Sequence, residues 1–399
     1  MRVSTNMIYD RGVGSIQQQW KSILHTQQQV ASGRRVLTPA DDPIAAARAL
    51  EIGQSKAVNS QFSVNTGYAD DALKLLDSRL GSAGDVLHYV RERAVQAGNG
   101  ALAAEDLRYM ATDMKAQFDA MLALANSQDG VGEYIFGGYR SQQQPYSGGL
   151  AGVEYKGDQG ERTIQVSASR YMPISLPGSD VFDRSLKLDT ESIKLYGASA
   201  NKGSAAPAIT DVSAAAVRQA TRYQFVFDAG ANAYTIDRIG QDGNSVLPAP
   251  SAAAPGATIT VDGLEIVLPA TGVADGDSFE IFVPSTNLLN NMAMFASALE
   301  KPGVSGMTGA VAFALETFDA GQENLLKVRA QIGSQLTETE ALTSLGGDLD
   351  LQYAATLSGL QDVDYADAIS RLTQQQTYLQ AAQQSFMRVS GLSLFNYLS

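Results

Sequence analysis

The residue types able to do chemistry are few and scattered. Two histidines, His25 and His88, are the only imidazoles among 399 residues, and there is no cysteine. A nitrogen and sulfur metal site needs such groups in a cluster. Each histidine instead stands alone on a stretch with helical spacing, away from any nucleophile motif such as G-x-S-x-G. His25 follows Leu24 beside an apolar seam, where a structural role is the simpler account. The adjacent carboxylates Asp41 and Asp42 are a conceivable metal pair. An acid-acid-Pro run ending at Pro43 is better explained as a helix start: a carboxylate accepts from first-turn N–H groups, and Pro occupies the first helical position, where a missing donor costs nothing. Asp362, Asp364 and Asp367 have a faint calcium-loop spacing, but Ala366 and Ala368 stand at ligand positions of that loop and it lacks the glycine of its sharp turn. These acids suit the positive end of the last helix instead. Asp275-Gly276-Asp277 reads as a turn before a strand. Met110, Met114 and Met121 share one helical face, the pattern of adaptable core packing. No catalytic, cofactor-binding or metal-ligating residue is assigned, and the chain is expected not to be an enzyme.

The composition is that of folded cores, with 44% hydrophobic and 18% charged residues and length enough for two or three domains. No run approaches the roughly 18 apolar residues of a membrane span, and Met1-Arg2 is followed by polar sequence where a secretory signal has an apolar core. A net charge of −13, from 42 acidic against 29 basic residues, argues against nucleic acid as a partner. A membrane partner is likewise not expected.

The elements that must position everything else are the two ends. Tyr365, Leu372, Leu379 and Phe386 recur every seven residues, with Ile369 in the complementary row, followed there by Gln376, Gln383 and Ser390. That is a coiled-coil seam. Residues 372–387 carry no charge, so this helix is built to be surrounded rather than to face water. The first forty residues answer it: Tyr9, Ile16, Ile23, Val30 and Leu37 recur every seven, with Val13 and Trp20 in the second row until Gln27 takes its place. Gln triplets flank both seams. The termini are therefore expected to pair into one helical stem.

The first helix is expected over 12–35, and a second, long one begins at Pro43 behind Asp42, with Gly67, Gly81 and Gly84 as possible bends. A third helix follows Gly98-Asn99-Gly100 and ends near Asn126. Past Asp129-Gly130 the period changes to two, giving strands over 134–136, 153–155, 163–166, 223–227, 234–236, 259–261, 264–268 and 279–283. The Ala- and Ser-rich stretch 198–217 reads as a loop. Helical spacing returns near Asn287 and continues in a long helix over 309–345. The fold class expected is multidomain α+β: a coiled-coil stem of paired N- and C-terminal segments with an inserted antiparallel β domain. Its parts are a terminal helix at 1–42, a helical stem over 43–140, a β-hairpin region over 141–189, the β insertion at 190–284, the returning stem over 285–346, and the second terminal helix at 347–399.

Four stretches carry a resemblance: MRVST at the start, SGRRVLTPADDP over 32–43, DGLEIVL with GDSFEI over 262–281, and SGLSLFNYLS at the end. The chain resembles the flagellar hook-associated protein 3 family, the hook–filament junction proteins of the flagellin superfamily. The pattern covers roughly the first 140 and last 110 residues; the region 186–285 matches by β character and the GDSF strand. Flagellin itself shares the terminal heptads, but the wording of the turn, TPADDP, and of the terminus, SLFNYLS, tilts against it. An adhesin-like binding protein, acting through the β domain, is the alternative from another class.

The resemblance implies a structural protein exported unfolded through the flagellar type III route, without a cleaved signal, to the outside of the cell. It implies a ring of copies of this chain between the first hook-associated protein and flagellin, served before export by a flagellar chaperone. No cofactor is implied. The terminal helices would form the inner tube, with Ile16, Trp20, Ile23, Val30, Leu37, Ile369, Leu372, Leu379, Phe386, Leu394 and Phe395 as the assembly interface and Asp41, Asp42 and Pro43 as helix cap and turn.

Overall fold

The computed structural model describes residues 5–184, 186, 192–213, 220–246 and 251–395. The chain opens with α1 (Thr5–Ser32), α2 (Pro43–Ala97) and α3 (Ala104–Ala125). Two hairpins follow, β1 (Tyr146–Gly149) with β2 (Gly152–Tyr155) and β3 (Thr163–Ser167) with β4 (Arg170–Pro173), and then the short α4 (Gly178–Phe182). Next come β5 (Lys194–Gly197), β6 (Ala208–Val212), β7 (Thr221–Asp228), β8 (Ala233–Gly240), β9 (Ser251–Ala253), β10 (Thr258–Val261), β11 (Leu264–Val267) and β12 (Ser278–Val283). The chain returns to helix in α5 (Leu288–Glu300), α6 (Met307–Gln361) and α7 (Tyr365–Phe395).

These elements form two compact units, one of residues Met1–Val64 with Leu342–Ser399 and one of Asn65–Ala341. In the first, α1 packs along α7. The helix α1 starts before the expected Gly12 and stops at Ser32, because Gly33 takes a left-handed φ of 73° that an L side chain resists. The helix α6 runs well past the expected end at Leu345, through Gly346-Gly347. Within this unit the Asn59 amide donates to Gly346 O at 2.8 Å, and a Cβ at Gly346 would lie 3.0 Å from Ser63 Oγ.

In the second unit, α3 packs on α5, and α5 is buried on every side. Its buried residues are correspondingly apolar except for Asn290, Asn291 and Ser297, whose side chains are hydrogen-bonded to backbone carbonyls, and Asn287 caps it by accepting from Asn290 N at 3.2 Å. A five-stranded antiparallel sheet in the order β5-β12-β7-β8-β9 and a three-stranded one in the order β10-β11-β6 share a single core that includes Tyr223, Phe225, Tyr234, Ile236, Leu264, Ile266 and Ile281. The alternation of 223–227 and 234–236 is what makes one sheet face apolar. Asp262 and Gly263, with φ of 48° and 79°, form the two-residue turn that joins β10 to β11.

Two sequence expectations fail here. Residues 134–136 are not a strand: Tyr134 makes only an isolated bridge with Gln128, Tyr134 N donates to Ser141 O and Ile135 N to Ser127 O. The turns at Asp129-Gly130 and Gly137-Gly138 lie so close together that they consume the backbone groups a ladder would need. The stretch 198–217 is not a continuous loop, because β6 pairs with β11 inside it. Its small residues leave only Ile209 and Val212 to carry the alternation; residues 214–217 of that stretch lie outside the described residues. The helix α2 runs unbroken through Gly67, Gly81 and Gly84.

Candidate functional site

The geometry that stands out is the pairing of the chain's two ends. Ile23, at 2% exposure, and Leu379, at 7%, are its most buried large apolar residues, and Ile16, Val30, Leu372 and Phe386 are half-buried. The middle members of the seven-residue rows expected from sequence therefore face inward, while Tyr9 and Tyr365, which begin them, are about half exposed. The complementary rows do not lie where sequence placed them. On α1 the second row runs one residue earlier, through Gly12, Gln19 and Thr26, and on α7 through Ala368, Gln375 and Ala382. Trp20 and Ile369 are 48% and 52% exposed. The reason is size and polarity working together. Gly12 leaves room for the Phe386 ring, whose Cδ2 would lie 2.7 Å from a Cβ at that position, while Thr26 and Gln375 satisfy each other across the seam at 3.0 Å.

The second row of the seam thus takes small and hydrogen-bonding residues inside and leaves Trp20 and Ile369 out. Tyr9, Trp20, Leu24, Tyr365, Ile369, Tyr378 and Met387 are all about half exposed or more, though the Tyr9 ring lies 5.0 Å from that of Phe386. Leu37 is half-buried in the turn after α1. Leu394 and Phe395 fall at the end of α7, and their side chains lie outside the described residues.

Four helix ends meet beside this pair. Asp42 accepts from Ala45 N at 3.0 Å, with Pro43 opening α2, and this hydrogen bond holds the carboxyl below its ordinary range. Asp41 accepts from Thr38 N at 2.8 Å and Leu37 N at 3.0 Å, chiefly the Thr38 bond lowering its pKa, and its other oxygen lies 3.0 Å from His25 Nε2. Asp364 caps α7 by accepting from Ala366 N at 2.9 Å. In the second unit the pKa of one acid is raised, whereas those of Asp158, Asp277 and Glu300 are lowered. Burial pushes Asp183 up to about 7, although the Tyr146 hydroxyl and the Asn287 amide both donate to it.

The remaining chemical candidates stay apart. His88 lies 3.5 Å from Glu92 on an exposed face of α2. Asp277 accepts from Lys202 N, Gly203 N and Ala274 N, and Asp275 from Ala229 N, so both organise turns. Among the described residues no three His, Cys, Asp or Glu groups are placed to hold a metal ion, and no helix is long and apolar enough to cross a membrane. Sequence reasoning missed Thr26, Gln375 and Ala368. Their signal was the same spacing of seven, carried by residues too small or polar to register as a seam.

Comparison with known proteins places this architecture. Residues 3–141 match the bacterial flagellin N-terminal helical region, and residues 196–282 match the D2-like domain of flagellar hook-associated protein 1. The chain is 30% identical to flagellar hook-associated protein 3 of Escherichia coli strain K12, over 99% of each chain. It is similar to the crystal structure of the flagellar junction protein FlgL from Legionella pneumophila, with 25% identity, a TM-score of 0.52, and 79% of this chain and 100% of that one covered. The likeness to a flagellin of Listeria monocytogenes is 28% over 106 residues, 27% of this chain and 37% of the flagellin.

Proposed function

The chain belongs to the flagellar hook-associated protein 3 family, and from that premise we propose that it is a structural protein of the bacterial flagellum, seated at the junction of hook and filament. The observation that carries this is the match to a hook-associated protein 3 over 99% of both chains. A flagellin reading accounts for far less, since its likeness stops at 27% of this chain.

In this reading the terminal pair is the assembly element. Copies of the chain form a ring, and the exposed Trp20, Ile369 and Tyr378 pack against neighbouring copies, where large apolar side chains leave water. The first hook-associated protein lies on the hook side and flagellin on the filament side, and the chain reaches the outside through the flagellar export route, escorted by a chaperone and without a cleaved signal. The β region 190–284 is an insertion in the helical stem, and its likeness to a hook-associated protein 1 domain favours a role on the flagellar surface over adhesion.

The test is deletion of the gene followed by electron microscopy of the cell surface. The expected result is hooks without filaments and flagellin released to the medium, both reversed by complementation. Normal filaments in the deletion strain would end the junction reading.

A further inference from the structure

The turn between α1 and α2 and the turn between α6 and α7 are tied to each other, and Arg35 makes most of the ties. Arg35 N donates to Gln361 O at 2.6 Å, and Val363 N donates to Gly33 O at 2.9 Å, the two bonds of a single antiparallel bridge between Arg34 and Asp362. The Arg35 carbonyl accepts from the Gln29 amide, on the last turns of α1, at 2.6 Å. Its guanidinium forks: Nη1 donates to Asp42 Oδ2, the cap of α2, at 3.1 Å, and Nη2 donates to Leu360 O, in the last turn of α6, at 2.9 Å. Leu360 and Gln361 are among the four terminal residues of α6 whose carbonyls have no partner within the helix. Arg35 satisfies both, one with its side chain and one with its backbone.

We propose that Arg35 is the positioning residue of the terminal pair: it fixes the direction in which α1 and α7 leave α2 and α6, and so sets where the exposed face of Trp20 and Ile369 is presented for assembly. This deepens the junction reading and rests on it for its assembly half. Stability is not the reason for the residue. The Arg35 and Asp42 side chains are 42% and 32% exposed, and ion pairs so open to water contribute little. Geometry is the reason. A planar guanidinium holds two donors at a fixed angle, aimed at two different helices, whereas a lysine ammonium is one point charge on a flexible stem. The neighbouring contacts act on other members: His25 and Asp41 brace the loop against α1, and Asp364 starts α7, but neither joins α2 to α6.

The chain has no cysteine, so spin labels can be placed at will. Labels on Gln27→Cys in α1 and Glu51→Cys in α2, both exposed, report the angle of the joint in the full-length monomer. Pulsed electron resonance is expected to give one narrow distance distribution with Arg35 present, a broad one in Arg35→Ala, and only partial narrowing in Arg35→Lys, with unchanged helical circular dichroism in all three. In a deletion strain, Arg35→Ala should be secreted at wild-type level yet leave at least tenfold fewer hooks bearing filaments, with Arg35→Lys between. A narrow, wild-type distance in Arg35→Ala overturns the clamp, and a broad distance with normal filament number overturns its role in assembly. Failure of the wild-type gene to restore filaments would instead count against the junction reading, which the distance measurement does not depend on.

Discussion

Thr26 and Gln375 face each other across the terminal pair, with Thr26 Oγ1 and Gln375 Oε1 3.0 Å apart and the threonine 4% exposed. The same hydroxyl lies 3.0 Å from Ser22 O. One proton cannot serve both, but an amide turned to present its NH2 group satisfies the threonine oxygen while the hydroxyl bonds Ser22. A lone polar pair in an apolar seam costs stability and fixes register. The double variant Thr26→Val, Gln375→Leu should therefore slow hydrogen exchange in α1 and α7 of the monomer and reduce the number of filament-bearing hooks, because sliding pairings become available. Faster exchange would show that the polar pair stabilises the seam outright.

Leu379 tests the seam from the apolar side. At 7% exposure it has no water to offer a charge, and burying an unpaired carboxylate costs several kcal/mol. Leu379→Asp should free the α1 and α7 backbone to exchange rapidly, while the sheets of the second unit, whose core draws on none of these residues, keep their protection. Motility should be lost. An equally protected α1 would mean that the carboxylate reaches solvent.

Trp20 and Ile369 should behave in the opposite way. Each is about half exposed in the single chain, so Trp20→Ala or Ile369→Ala should change the melting temperature of the monomer little, by the roughly 0.5 kcal/mol typical of surface changes. If these side chains are buried between copies, each truncation removes about 2 kcal/mol or more per interface. Secreted monomer should accumulate at the expense of junctions. Normal assembly in both variants would remove them from the interface.

The contrast between these residues also marks what could be read from sequence. A spacing of seven is a strong signal when its members are Ile, Leu and Phe, and it located both terminal helices and their inward rows. The second rows were misplaced because Trp20 and Ile369 are more apolar than Gly12, Thr26, Gln375 and Ala368, and hydrophobicity alone cannot separate a face that closes within the chain from one left outside it. The helix expected over 309–345 continues as α6 through Gly346-Gly347, where Asn59 of α2 donates to Gly346 O. The strand β6 stayed hidden because its pairing with β11 is long-range and its own residues are small. Arg35 gave no sign of its reach, since its partners Asp42 and Leu360 lie on helices far apart in the chain.

The β insertion should be separable. The core shared by its two sheets draws only on residues from Ile193 to Val283, so deleting 190–284 behind a short Gly-Ser linker removes a complete core rather than cutting one. The deletion uncovers Phe313, stacked on Phe282 at 5.4 Å, Asn290, which accepts from the Gln241 amide, Ser305, which donates to the buried Glu280, the Lys301 carbonyl, which accepts from Arg222, and Glu316, which pairs with Lys194. The helical circular dichroism signal per molecule should be preserved, with a lowered melting temperature from the uncovered Phe313. A cooperative loss of helix would show that the stem and insertion share one folding unit.

Asp183 gives the second unit a pH dependence whose sign can be worked out. Its carboxyl is pushed up to about 7 from 3.8, and the cause is burial, which outweighs the hydrogen bonds donated by Tyr146 at 3.3 Å and Asn287 at 2.6 Å. Between those two values the folded chain holds a proton that the unfolded chain has released. The contribution is therefore fully present below about pH 4, declines as pH rises toward 7, and is lost above it. The shift sets a ceiling of roughly 4 kcal/mol, reduced by relaxation and by the cavity that Asp183 borders together with Tyr155, Lys156 and Asn287. Asp183→Asn keeps an oxygen for both donors and has nothing to titrate. Subtracting its unfolding free energy from that of the wild type at each pH cancels the other acids. The difference should favour the variant at pH 8 by a few kcal/mol and shrink steadily toward pH 4. A difference that stays flat across that range would mean that Asp183 is ionised in the folded protein throughout.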